Sequence, residues 1–103
     1  MKARALVTGG SRGIGAAIAV ALAKAGHPII LNFRSNLEAA QAVKARIEAD
    51  GGSVELAQFD VADAEACAKA LEALLADEER PIGVLVNNAG VTRDNTFRSE
   101  ERR

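Results

Sequence analysis

Thr8 is followed by Gly9-Gly10-Ser11-Arg12-Gly13-Ile14-Gly15, a run that mixes glycines with a serine and an arginine. Residues of these types hold anions. Glycine lets the backbone approach a phosphate without a Cβ in the way, and unpaired N–H groups at a helix start supply the hydrogen bonds. The spacing is not the common G-x-G-x-x-G, since Thr stands at position 8 and Arg at position 12. It is not a triphosphate-binding P-loop either, because no lysine follows the glycines. Two readings stand for the loop alone: a pyrophosphate cradle, or a tight strand-to-helix turn without a ligand.

Three further segments carry polar groups of the right kind. In "NFRS", Asn32 to Ser35, there is an arginine, Arg34, and no carboxylate. Dinucleotide folds that prefer NAD place an acid about 20 residues beyond the glycines for the ribose 2′-OH, whereas an arginine there suits a 2′-phosphate. Arg12 can reach the same phosphate from the glycine loop. Either arginine alone also reads as an ordinary solvated charge, but the pair favours NADP over NAD. Asp60, followed by Val61, offers an acceptor to an adenine amino group, or else closes a turn beside Asp63. In "VNNAG", Asn87 and Asn88 either tie neighbouring strands together or reach a ribose.

These groups converge only if the chain alternates strands and helices. "ARALVT" (3–8) reads as a buried strand. Ile14, Ile18 and Leu22 then mark one face of a helix that Gly26 ends. Pro28 opens the second strand, "PIILNF". Ser35 and Glu38 have capping-box spacing for a second helix, with Leu37, Val43 and Ile47 on its apolar side, that stops at Gly51-Gly52. "SVELAQF" is a third strand. Asp63 caps a third helix bearing Cys67, Leu71, Leu74 and Leu75, and "GVLVN" (83–87) is a fourth strand. Crossovers of this length require parallel strands with right-handed connections. The expected fold class is α/β: a Rossmann-type doubly wound parallel sheet of order 3-2-1-4, with two helices on one face and the third on the other, truncated after the fourth strand. Residues 1–103 are expected to form one NADP-binding half-domain, with 91–103 a loop or frayed helix tail.

The bulk numbers narrow the function classes. The 103 residues have a formal net charge of −1, which draws them neither to nucleic acid nor to an anionic membrane surface. Cys67 is the only cysteine, so no internal disulfide forms, and no stretch reads as a signal peptide or a membrane span. A cytoplasmic setting is expected. His27, the only histidine, falls between Gly26 and Pro28 in a turn away from the strand ends where ligands bind. Cys67 shares a helix face with Leu71 and Leu74 and reads as a buried structural thiol. No metal site is expected. There is no tyrosine and no tryptophan, which excludes any mechanism needing a phenol from within these residues.

With "TGGSRGIG", "DV" and "NNAG" all at strand ends, the sequence resembles the short-chain dehydrogenase/reductase family. Its T-G-x-x-x-G-x-G and N-N-A-G signatures are matched at Thr8–Gly15 and Asn87–Gly90. Within that family, "VTGGSRGIG" with "VNNAGVTRDN" is most similar to the 3-oxoacyl-[acyl-carrier-protein] reductases of fatty acid synthesis. The resemblance implies NADPH as hydride donor, a β-ketoacyl thioester carried on acyl carrier protein as substrate and, in full-length relatives, a homo-oligomer. It further implies cofactor contacts by Gly9, Gly10, Ser11, Arg12, Gly13, Ile14 and Gly15. Arg34 would meet the 2′-phosphate, Asp60 and Val61 the adenine, and Asn88, Ala89 and Gly90 the adjoining ribose, while Asn87 braces the sheet. The family's catalytic Asn, Ser and Tyr-x-x-x-Lys follow the N-N-A-G strand. The 103 residues contain no such tyrosine, so no catalytic residue is assigned and the isolated chain is expected to be inactive. The competing expectation is a non-catalytic module that binds NADP or a partner chain.

Overall fold

The computed structural model describes residues 2–88, so Ala89, Gly90 and the expected 91–103 tail lie outside the described residues. Four strands, β1 (Arg4–Val7), β2 (Ile29–Phe33), β3 (Val54–Gln58) and β4 (Ile82–Val86), alternate with three helices, α1 (Gly13–Lys24), α2 (Leu37–Ala49) and α3 (Ala64–Leu75). The strands lie in the order β3-β2-β1-β4, and every pairing is parallel. This is the Rossmann-type sheet that the alternation predicts.

Every residue of β1 and β2 is buried, as expected of central parallel strands covered on both faces. Ala5, Val7, Ile29, Leu31, Phe33 and Val54 point to one face and cluster with Ala19 and Val20 of α1 and Ala40 and Ile47 of α2. Burying the Val, Leu, Ile and Phe side chains among them contributes about 1.5–3 kcal/mol each. Leu6, on the opposite face, looks into a cleft of about 310 Å³ whose far wall is Cys67 and Leu71 of α3. Two helices on one face and the third on the other is the arrangement that was expected. The two faces are unequally packed, however. No residue of α3 is buried, and Leu85 of the edge strand β4 is 65% exposed. Cys67 is accordingly half-buried and free, not a core thiol.

Three local features differ from the sequence reading. The seam of α1 is made by Gly15, Ala19 and Val20, while Ile14 is 73% exposed. Of the expected face, Leu22 packs against the core beside Ala19 and Val20, while Gly15 is buried against the glycine loop. The cap of α2 is Asn36 and not Ser35: its Oδ1 accepts the Ala39 N–H at 3.0 Å, which sets the helix start one residue later than the capping box would. At the N-terminal edge of the sheet, Arg4 is buried. Its Nε donates to the Arg80 carbonyl at 2.7 Å, its Nη2 donates to the Leu74 carbonyl at 2.8 Å, and its Nη1 meets Glu55 at 3.4 Å. This side chain fastens the end of α3 and the turn before β4 to the first strand. His27 does the same for the α1–β2 turn, its Nδ1 lying 2.8 Å from the Ala3 carbonyl.

Candidate nucleotide-binding site

The glycine loop leaves the C-terminal end of β1 and is fixed on both sides. Thr8 N–H donates to the Val86 carbonyl at 3.0 Å, and its hydroxyl lies 3.2 Å from that same oxygen and 3.3 Å from Asn87 Oδ1. Gly9 N–H donates to Asn32 Oδ1 at 3.1 Å, and Gly10 N–H donates to the Asn32 carbonyl at 2.9 Å. From the other side, Asn88 Nδ2 donates to the Gly9 carbonyl at 3.1 Å. Asn88 thus braces the backbone of the neighbouring loop, and Asn87 meets the Thr8 side chain of the neighbouring strand, so both tie adjoining segments together, the first of the two roles that their positions allowed.

The loop then delivers α1 with its N-terminal end bare. Arg12, the residue before the helix, is extended, with φ −163°, and makes no side-chain cap. Gly13 adopts φ +62°, which turns the chain into the helix. Geometry leaves the first N–H groups of a helix without intrahelical partners. In α2 and α3, Asn36 and Asp63 each claim one of these groups, and Glu38 and Glu65 place a negative charge in the first turn. At α1 there is neither, so the Gly13–Gly15 end presents donors and the positive end of the helix dipole.

Beside this end, Ser11, Arg12, Arg34, Ser35 and Asn36 surround an open cleft of about 320 Å³. The two arginines expected to share a phosphate do line one space. Arg34 is positioned from behind: Gln58 Nε2 donates to its carbonyl at 3.2 Å, and its Nε stands 3.8 Å from Asp60 Oδ2. The other Asp60 oxygen accepts the Ala62 N–H at 2.9 Å, so Asp60 also closes the turn into α3. Both readings of Asp60 therefore stay compatible with its place. Val61 is not brought to the arginine cleft. It lines the apolar cleft under α3 with Thr8, Phe59 and Asn87. Among the described residues no group of His, Cys, Asp or Glu side chains is arranged to hold a metal ion. No helix of the described residues is long and apolar enough to cross a membrane.

Sequence reasoning missed Asn32, which it treated only as a position lacking an acid. The available signal was a carboxamide inside the apolar run "IILNF", which burial obliges to find partners. It is 2% exposed, and its Nδ2 donates to the carbonyls of Ala57 at 3.2 Å and Phe59 at 2.9 Å.

Comparison with known proteins matches residues 3–103 to the family model described as short chain dehydrogenase. The chain belongs to the short-chain dehydrogenase family. Among curated members, it is 46% identical over 93 residues to an acetoacetyl-CoA reductase of Paracoccus denitrificans, a match covering 90% of this chain. It is 48% identical over 90 residues to a 3-oxoacyl-[acyl-carrier-protein] reductase of Synechocystis, covering 87% of the chain. The matched region is 36% of the length of each of these two short-chain dehydrogenase relatives. Among solved structures, a metagenomic short-chain oxidoreductase in complex with NADP superposes with a TM-score of 0.79 at 44% identity, covering 86% of this chain and 39% of that one. A dehydrogenase/reductase from Sinorhizobium meliloti gives a TM-score of 0.78 at 43% identity, covering 86% of this chain and 35% of that one.

Proposed function

We propose that these residues form the NADP(H)-binding portion of a short-chain reductase that acts on β-ketoacyl thioesters, with 3-oxoacyl-[acyl-carrier-protein] reduction as the specific activity. The observation that carries the cofactor reading is the pairing of Arg12 and Arg34 around one cleft beside the uncapped start of α1. No carboxylate stands between Asn32 and Ser35 to claim a ribose hydroxyl instead. The donor set fits a phosphorylated dinucleotide: helix N–H groups for the pyrophosphate, and two guanidinium groups with Ser11 and Ser35 for the 2′-phosphate. Asp60 and Asn88 lie at the adjoining strand ends, where the adenine and its ribose would rest. NADPH, when bound, supplies a hydride. The chain's own residues hold and orient it; none of the 103 is assigned to proton donation, and on their own they bind without reducing.

The substrate reading rests on the names of the relatives, which share a 3-oxoacyl thioester substrate attached either to acyl carrier protein or to coenzyme A. The second reading, a binding module without catalysis, draws on the exposed Leu85 of edge strand β4 and on the sparse packing of α3.

Titration of the 103-residue chain with NADPH, NADH and 2′,5′-ADP tests the cofactor assignment. Saturable binding that prefers the 2′-phosphate ligands is the expected result. Equal affinity for NADH and NADPH overturns the role of the arginines.

A further inference from the structure

Asn32 uses both of its amide hydrogens and its carboxamide oxygen to join two parts of the crevice. Its carboxamide oxygen takes the Gly9 N–H, and its amide hydrogens go to Ala57 and Phe59, beyond which the chain turns to Asp60. The orientation of the amide is forced by these partners, since a flipped group would set NH₂ against N–H and oxygen against two carbonyls. Its backbone carbonyl takes Gly10 N–H as well. Gly9 and Gly10 therefore have no main-chain donors left for a ligand, although their place in the loop suggested phosphate contacts. At the start of α1 the exposed residues are Gly13 and Ile14, whereas Gly15 is buried against the loop.

We propose that Asn32 is a positioning residue for dinucleotide binding: it locks the glycine loop and the end of β3 into one rigid unit, and it shifts anion recognition from Gly9 and Gly10 to the exposed start of α1 at Gly13 and Ile14. The proposal rests on the cofactor reading above. A ligand that bridges the loop and the strand ends needs the two at a fixed separation, and a single buried carboxamide sets that separation. A network of this kind is cooperative, so loss of one member loosens both sides.

The test compares Asn32→Asp and the milder Asn32→Ser with Ile30→Val, a buried substitution two residues earlier on the same strand face. Asn32→Asp keeps an acceptor for Gly9 but turns a second oxygen toward the Ala57 and Phe59 carbonyls. Asn32→Ser is small enough to fold with water in the gap. Calorimetric titration with NADP⁺, run at a temperature where all variants are folded, is expected to show at least a tenfold loss of affinity for both Asn32 variants. Ile30→Val should match the parent chain. Amide exchange at Gly9 is expected to accelerate at least tenfold in Asn32→Ser, which removes its acceptor, and to stay unchanged in Ile30→Val. If either Asn32 variant binds NADP⁺ as well as Ile30→Val does, or Asn32→Ser exchanges no faster at Gly9, the positioning role is overturned. A parent chain that binds no NADP⁺ overturns the cofactor reading instead, and the Gly9 exchange rates still decide whether Asn32 holds the loop.

Discussion

Gly15 lies directly beneath Asn88. A Cβ built on Gly15 would fall 2.7 Å from Asn88 Nδ2 and collide with the Gly9 carbonyl oxygen, the two atoms that the Asn88 hydrogen bond joins. Gly15→Ala is therefore expected to push the helix off the loop, with an overpacking cost of about 1–3 kcal/mol and loss of nucleotide binding. Gly13→Ala is different: its Cβ would meet nothing within 4 Å, but its φ of +62° strains any other residue. That substitution should cost about 1–2 kcal/mol from the backbone alone. Urea unfolding of the two variants, with NADPH titration of each, separates collision from strain.

Arg34 is 79% exposed and shares its charge with Asp60 at 3.8 Å. A hydrogen bond to a charged group is worth about 1.5–3 kcal/mol, and solvent screening moves this site to the low end, about tenfold in affinity. Arg34→Ala should weaken NADPH binding by that factor and leave NADH binding unchanged. Arg12→Ala should do the same. Fluorescence titration with both cofactors provides the check.

Asn36 caps α2, and Ser35 does not. Asn36→Ala is expected to destabilise the chain by about 1 kcal/mol, while Ser35→Ala stays within about 0.5 kcal/mol of the parent. Denaturant midpoints at constant slope distinguish the two.

Arg4 fastens three segments at the end of the sheet away from the cleft. Arg4→Met keeps the apolar stem but leaves the Leu74 and Arg80 carbonyls without their donor, for an expected loss of about 2–4 kcal/mol. Glu55→Gln should cost less than about 1 kcal/mol, because Glu55 is 44% exposed. Neither change should alter the ratio of NADPH to NADH affinity.

Arg80 donates to Asp77 at 2.7 Å, and that hydrogen bond holds the Asp77 carboxyl below its ordinary value of 3.8 against an opposing effect of desolvation. A carboxylate whose folded pKa is depressed contributes stability above its unfolded pKa, and that contribution is lost as pH falls through the folded value. Side-chain NMR titration should place the Asp77 midpoint below 3.8, and Arg80→Gln should return it toward that value.

The strand order was legible because strands and helices differ in period, and because short crossovers leave a parallel sheet few topologies. The arginine cleft was legible too, since Arg12 and Arg34 follow the first two strands. What escaped was close packing and hydrogen-bond accounting. Ile14, Ile18 and Leu22 marked a helix face of which Leu22 packs against the core and Ile14 does not, because the helix start fits against the glycine loop through Gly15. Ser35 and Glu38 satisfied a spacing rule that Asn36, one residue on, satisfies in three dimensions. Asn32 was weighed for the carboxylate it lacks, while its partners on Gly9, Ala57 and Phe59 lie far away in sequence.

The uneven packing of the two faces also sets an order of events in time. β1 and β2 are buried along their whole length, whereas α3 has no buried residue and rests over a cleft. Opening free energies within one protein range from near zero to the global value, and sparsely packed elements sit at the low end. α3 should therefore lift away while the sheet stays intact. Cys67, on the wall it shares with Leu71, is half-buried at rest and becomes fully exposed in those excursions. The part of its alkylation rate that exceeds the resting, half-exposed reaction then reports the breathing of one helix, through the only thiol in the chain.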